Sequence, residues 1–261
     1  MTPLAVTTRA KPSPADLARA SAVAARWGVP LLPRPGGPVQ GLLREASALL
    51  VVERAAVTLW DAAGKARWSE GLAALRLLAL DAGGQGEGLV QVGALAPGER
   101  VLDCTLGLAQ DARVAARLVG PGGRVVGLEA SLPLAVFAAE GLLRERADPR
   151  SAAIEVRHAE AAEVLAALSP GEFDVVLLDP MFSRERPAQP SFQLLRRLAC
   201  ARPLDAETLA GARRVAGRAV LVKAPRYGRE LKALGLTAEG RSRSARVVWA
   251  RLSAARGRPG R

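Results

Sequence analysis

Apolar positions fall into two regimes along the chain. From about residue 98 onward, short Val- and Leu-rich runs alternate with longer stretches in which apolar residues recur every three or four positions. Short continuous runs bounded by turns read as buried strands, and the longer periodic stretches read as helices packed by one face. This predicts strand one at 100–103, a helix at 111–119 closed by Gly120-Pro-Gly-Gly123, and strand two at 124–128 ending at Glu129. A helix at 131–146, strand three at 154–157 and a helix at 160–168 follow. Strand four at 173–178 ends in Asp179-Pro180, and after a long loop come a helix at 205–216 and strand five at 218–222, ending at Lys223. The tail offers a helix near 228–234 and two strands near 236–242 and 245–252. Apolar strands alternating with helices predict an α/β fold: a doubly wound parallel sheet covered on both faces.

The first third has a different texture. Residues 4–8 form a strand pattern, and Ser13 or Asp16 is placed to cap a helix running to about Trp27 before Gly28 and Pro30 stop it. Residues 33–38 are a Pro/Gly loop, and 41–46 a short helix. Runs at 48–53, 56–60 and 65–68 read as strands, with a turn at 61–64, and 72–80 reads as a helix. The expected organisation is a small α+β domain over 1–82, a linker and short helix over 83–96, a main domain over 97–255 and a basic tail over 256–261. The glycine-rich segment 81–88 follows no strand and leads to no Gly-Lys-Ser/Thr, so it reads as a connection rather than a phosphate loop.

Composition narrows the class. With 49% apolar residues in 261, the chain can bury a large core. It has no apolar run long enough to span a bilayer and no leader pattern, and its two cysteines, Cys104 and Cys200, make no disulfide framework. A cytoplasmic protein is expected. The net charge of +12 is concentrated: residues 213–261 carry 14 Lys+Arg and 2 Asp+Glu, while residues 1–212 carry 23 of each sign. That asymmetry points to a polyanionic partner such as nucleic acid. The competing explanation is an Arg-rich surface, since 33 of the 37 basic residues are Arg.

The candidate chemistry lies at the strand ends. Acidic residues terminate strands one, two and four: Asp103, Glu129 and Asp179. Each alone is also a plausible turn or helix cap, but ligands in doubly wound folds bind outside the carboxyl ends of strands, so the ordered set reads as a cofactor site. A dinucleotide loop would need Gly-x-Gly-x-x-Gly after strand one; here only Gly107 lies in the turn, and a carboxylate at 103 would repel pyrophosphate. The arrangement suits a cofactor with a cationic amino acid end and no phosphate, namely S-adenosylmethionine. Glu129 is placed to accept both ribose hydroxyls, and Glu160 to reach the adenine amino group. His158, the single histidine, reads as a structural or adenine-side residue. One His and two separated Cys leave no metal site expected.

Asp179-Pro-Met-Phe182 follows strand four. An exocyclic amine on a nucleobase is a poor nucleophile because its lone pair is delocalised. A carboxylate and a backbone carbonyl that accept its two N–H bonds can orient it toward a methyl donor, and an aromatic ring can stack on a flipped base. Asp179, the Pro180 carbonyl and Phe182 supply those parts, an ordinary strand-to-loop turn being the alternative. Lys223, Arg226 and Tyr227, after strand five, are candidates for the substrate entrance, with a phosphate for Lys223 or Arg226; surface decoration explains them equally well.

Three segments, Val101-Leu-Asp-Cys-Thr-Leu-Gly-Leu-Ala-Gln-Asp111, Leu178-Asp-Pro-Met-Phe182 and Val222-Lys-Ala-Pro-Arg-Tyr227, make the chain resemble the ribosomal RNA small subunit methyltransferase J family. These are class I enzymes that use S-adenosylmethionine. The resemblance covers about residues 97–227. It implies N2-methylation of a guanine in 16S ribosomal RNA, with ribosomal RNA or the small ribosomal subunit as partner. It places cofactor contacts at Asp103, Thr105, Gly107, Asp111 and Glu129, and substrate or cofactor-side work at Asp179. The chain departs from the family pattern where Ala109 replaces the second glycine, which would crowd the cofactor carboxylate, and at Glu160 and Ser183. Two further readings stay open: an amino-methylase acting on DNA adenine or a protein amide, and a non-catalytic RNA-binding or ribosome assembly factor that keeps the fold.

Overall fold

The computed structural model describes residues 2–34, 36–69, 71–84, 88–180, 190–200, 202–225, 229–239 and 247–255. The elements run β1 (Ala5–Thr8), α1 (Pro14–Trp27), a 3₁₀ turn (Val39–Arg44), β2 (Leu49–Val52), β3 (Val57–Asp61), β4 (Gly64–Arg67) and α2 (Gly71–Asp81). After a π-type turn at Leu89–Gly93 come β5 (Arg100–Asp103), α3 (Gln110–Val119), β6 (Arg124–Glu129), α4 (Leu132–Leu142), β7 (Ile154–His158) and α5 (Ala161–Ala167). The chain continues with β8 (Phe173–Leu178), α6 (Pro190–Leu198), α7 (Ala206–Val215), β9 (Ala216–Pro225), α8 (Arg229–Ala233) and β10 (Val247–Ser253). They form two compact units: 1–70 with 131–146 and 185–199, and 71–130 with 147–184 and 200–261.

The first unit is built on a four-stranded sheet in the order β1-β2-β3-β4, with β1 parallel to β2 and the rest antiparallel. Its chain entry is fixed by α1. Ser13 caps the helix by accepting the Asp16 N–H, while the Asp16 carboxylate accepts the Ser13 N–H in return, and Gly28 closes the helix at φ 61°. Helix α4 packs against β2 and β3 of this sheet. Almost every side of α4 is apolar, with Leu134, Ala135, Val136, Phe137 and Ala138 all buried, so it cannot lie on a surface. Gly141 is required where it meets Trp68, because a Cβ there would fall 2.0 Å from the indole. Glu140 is buried and accepts from Arg26 at 2.8 Å, Trp27 Nε1 at 3.1 Å and Arg144 at 3.2 Å, which ties α4 to α1.

The second unit is built on a six-stranded sheet in the order β10-β9-β8-β5-β6-β7. All neighbours are parallel except β10, which runs antiparallel along β9. In the sheet's own sequence the order is 3-2-1-4-5-6, the doubly wound order, with its topological switch between β5 and β8. The core on one face joins Leu102, Val126, Leu128, Leu178, Val220 and Val222 to Leu165 of α5 and Leu209 and Val215 of α7. On the other side α2 packs against α3.

Several predicted bounds shift. The helix predicted at 131–146 stops at Leu142, and residues 144 and 145 bond back in a tighter 3₁₀ fashion, because Pro149 and the polar run before it give no further periodic face to bury. The short helix predicted at 41–46 is the 3₁₀ turn at 39–44. Strand five extends to Ala216–Pro225, since β10 pairs along residues 219–225 and β8 holds Ala216 opposite Phe173. Of the two tail strands, the second is β10; the first contributes a single bridge, Glu239 to Trp249, within the described residues.

Candidate functional site

The candidate site is at the carboxyl ends of β5, β6, β8 and β9, around the switch point, where no strand continues and a ligand can approach the chain. The β5–α3 turn is shaped by its own side chains. The Asp103 carboxylate accepts the Thr105 N–H at 3.0 Å, a turn typical of Asp at a strand end. Gly107 (φ 51°) and Ala109 (φ 56°) both adopt left-handed backbone. The Gly107 N–H donates to Glu129 Oε2 at 3.0 Å, so the end of β6 braces the turn after β5. Leu106 folds down onto β6 in the space left by Gly127, where a Cβ would lie 2.4 Å from the Leu106 side chain as it now sits.

Thr105 links the two sides of the switch. Its Oγ1 accepts the backbone N–H of Asp179 at 2.6 Å and lies 3.5 Å from Asp103 Oδ1. Asp179 Oδ2 accepts from Lys223 Nζ at 2.8 Å, and the same ammonium donates to Asp111 Oδ2 at 2.7 Å. Arg76 of α2 completes the group, 2.7 Å from Asp111 Oδ1, and the Trp249 ring centroid lies 5.6 Å from the Lys223 nitrogen.

The electrostatics follow from burial and charge count. Burial, and then the Asp111 carboxylate beside it, push the Asp103 carboxyl up to about 7. Burial acts to raise Asp111 as well, but Lys223 and Arg76 outweigh it and hold that carboxyl below its ordinary value. For Lys223 burial acts downward, and the Asp111 and Asp179 carboxylates overcome it, so its ammonium is held above its usual range. Burial raises the Cys104 thiol, which makes it an inert packed group.

The remaining predicted residues are placed as follows. Pro180 is buried behind Asp179. Glu160 precedes α5 without capping it by its side chain and pairs with Arg202 at 3.5 Å. His158 Nε2 is 3.1 Å from the Ala130 carbonyl. Lys223 points inward to two carboxylates. Phe182, Arg226 and Tyr227 lie outside the described residues. Sequence reasoning did not single out Arg76, Gly127 or Trp249. Arg76 and Trp249 belong to α2 and β10, far from the motifs in sequence, and nothing local marks them. Gly127, a small residue inside an apolar strand, was a legible hint of a close approach.

Residues 45–247 match the family model described as "Putative SAM-dependent methyltransferase". The chain belongs to this family of S-adenosylmethionine-dependent methyltransferases. Its relatives include the uncharacterized protein YpiP of Bacillus subtilis, 29% identical over 224 residues, which are 84% of this chain and 87% of the relative. The ribosomal RNA small subunit methyltransferase J of Laribacter hongkongensis is 38% identical over 156 residues, 56% of this chain, and the match spans about half (54%) of that relative's length. Among solved structures, a SAM-dependent methyltransferase from Neisseria gonorrhoeae superposes with a TM-score of 0.59 at 21% identity, over 97% of both chains, which places the methyltransferase in the Rossmann-like class.

The cofactor of this methyltransferase is S-adenosylmethionine, and the donor set suits it. Asp103, Asp111, Glu129 and Asp179 bring four carboxylates against the two cations Arg76 and Lys223. With all ionised the strand ends carry an excess of negative charge, which suits a ligand bearing a sulfonium and an ammonium against a single carboxylate. Ala109 is wholly buried, and its backbone keeps the left-handed shape a glycine would give.

Proposed function

We propose that this methyltransferase modifies the exocyclic N2 amine of a guanine in 16S ribosomal RNA, in the cytoplasm. The observation that carries the reading is Asp179. It stands at the end of β8, beside β5 across the switch point, and is tied to Thr105 and Lys223. The named ribosomal RNA methyltransferase among the relatives and the basic C-terminal fifth support the acceptor class.

In this reading Asp103 takes the ammonium end of the cofactor, Glu129 its ribose hydroxyls and Glu160 its adenine side, with Thr105, Gly107 and Asp111 shaping the turn between them. When bound, the cofactor supplies a methyl group on an electrophilic sulfonium centre. Asp179 and the Pro180 carbonyl accept the two N–H bonds of the acceptor amine, turn its lone pair toward the methyl group, and stabilise positive charge as it develops on nitrogen. Asp179 then takes the proton the amine must lose. Lys223 positions the Asp179 carboxylate, and the Thr105 hydroxyl fixes its backbone. Phe182 stacks on the base, and Arg226 and Tyr227 meet the surrounding RNA.

The test is transfer of labelled methyl from S-adenosylmethionine to small ribosomal subunits isolated from cells lacking this protein, with Asp179→Asn as control. Label in 16S RNA should be at least 100-fold lower in the variant, with cofactor affinity by calorimetry within a few-fold of wild type. Full transfer by the variant would refute the role of Asp179. Cofactor binding without any label in RNA would move the acceptor to DNA or protein. Loss of both would favour a non-catalytic assembly factor.

A further inference from the structure

The N-terminal sheet carries a second feature, made entirely from residues of the first unit. In the antiparallel register Trp60 faces Lys65 and Thr58 faces Arg67, so all four stand on one face of the β3–β4 hairpin. The opposite face, with Leu50, Leu59 and Ala66, is buried in the core. The first face opens into a groove of about 330 Å³ rimmed by Arg34 and Glu53. Arg34 is held rigidly there, donating from Nε to the Gly37 carbonyl at 2.7 Å and from Nη1 to the Thr8 carbonyl at 3.4 Å. Lys65 lies over the Trp60 ring at 4.8 Å from its centroid. Lys65 and Arg67 are both exposed, and among the described residues neither has a carboxylate partner. The groove thus sets three cations against the single carboxylate of Glu53, around a half-buried indole and the Thr58 hydroxyl.

We propose that this groove is a binding site for single-stranded RNA, separate from the methyl-transfer site. Uncompensated cations on a sheet face attract a phosphodiester backbone by counterion release. An aromatic side chain amid those cations is the platform on which single-stranded bases stack. A nucleotide fits where Lys65 now covers Trp60: the base takes the ring face and the ammonium moves to the adjoining phosphate, with Arg67 on the next. The rigid Arg34 marks the far rim. An acidic peptide would satisfy the cations but leave the indole without a stacking partner, so the combination favours RNA. The choice of RNA rests on the proposed acceptor, while the groove itself does not.

The experiment uses the full chain and a fluorescein-labelled 12-nucleotide single-stranded RNA, followed by anisotropy from 50 to 200 mM salt. Lys65→Glu/Arg67→Glu should weaken binding at least tenfold and lower the salt slope by about 1.4, roughly 0.7 for each phosphate that is no longer neutralised on a single strand. Trp60→Leu should weaken binding about tenfold with the slope unchanged, because stacking is not ionic. Both variants should bind S-adenosylmethionine as wild type does. Wild type failing to bind the RNA, the double variant binding it unchanged, or a poly-glutamate peptide competing as well as RNA would each overturn the proposal. RNA binding lost in these variants by a protein that transfers no methyl to ribosomal subunits would leave the groove standing and remove the acceptor assignment alone.

Discussion

Replacing Asp103 with asparagine should make the folded protein more stable, and progressively more so as pH rises. Asp103 is buried at 3% exposure, with its carboxyl pushed up to about 7 from an unperturbed 3.8 by burial and the Asp111 charge. Below pH 3.8 the carboxyl is protonated in both folded and unfolded chains and contributes nothing to the difference. Between 3.8 and 7 the unfolded chain loses its proton while the folded chain keeps it, so stability falls by about 1.4 kcal/mol per pH unit. Above 7 the penalty is constant at roughly 4 kcal/mol. An asparagine keeps the acceptor for the Thr105 N–H but carries no charge, so it escapes this cost. Urea unfolding of wild type and Asp103→Asn from pH 4 to pH 8 measures the effect. The gap should open from near zero at pH 4 to several kcal/mol at pH 8. The same variant should bind S-adenosylmethionine at least tenfold more weakly at pH 8, and wild-type binding at pH 6 should release protons, seen as a dependence of the calorimetric heat on buffer ionisation enthalpy. A stability gap independent of pH, or a variant less stable at pH 8, would refute the reasoning. It would mean that the carboxylate is compensated in the folded state and is not held at a cost for a cationic ligand.

Other expectations follow from the same geometry. Lys223→Met removes the ammonium between Asp111 and Asp179 and should cost about 2–4 kcal/mol, less than a fully orphaned buried charge because Arg76 stays on Asp111. Since the Lys223 ammonium also holds down the buried Asp111 and Asp103 carboxyls, its removal raises both in the folded state, and the loss measured by urea unfolding should grow as pH rises from about 5 to 8. Glu140→Ala strips a buried acceptor from Arg26, Trp27 and Arg144 and should destabilise by about 3 kcal/mol in the same assay, without changing cofactor affinity in the folded fraction. Ala109→Gly relieves left-handed strain of roughly 1–2 kcal/mol but loses a buried methyl and loosens the unfolded chain, so its thermal midpoint should stay within a few degrees of wild type. Ala109→Val places a β-branched side chain at φ 56° with no room and should cost roughly 3 kcal/mol or more.

Much of this protein is written locally. Period and turn chemistry placed β5 to β9, because a buried parallel strand must be apolar throughout and must end where the chain turns. The acidic strand ends Asp103, Glu129 and Asp179 were visible for the same reason: a charged residue closing an apolar run stands out. The Ser13–Asp16 cap was legible because its two bonds close within three residues. What the sequence left open depends on contacts between distant segments. The inward turn of Lys223 follows from Asp111 and Asp179 converging on it from 112 and 44 residues away. The part played by Arg76 exists only because α2 packs on α3, and that of Gly127 only because Leu106 folds onto β6. Helix α4 reads as a crossover helix after β6, yet it packs on β2 and β3, since a helix apolar on nearly every side takes whatever apolar surface tertiary packing presents. Sequence periodicity determines which faces must be buried; the partner that buries each face, and the charges brought together as a result, are settled only when the whole chain has folded.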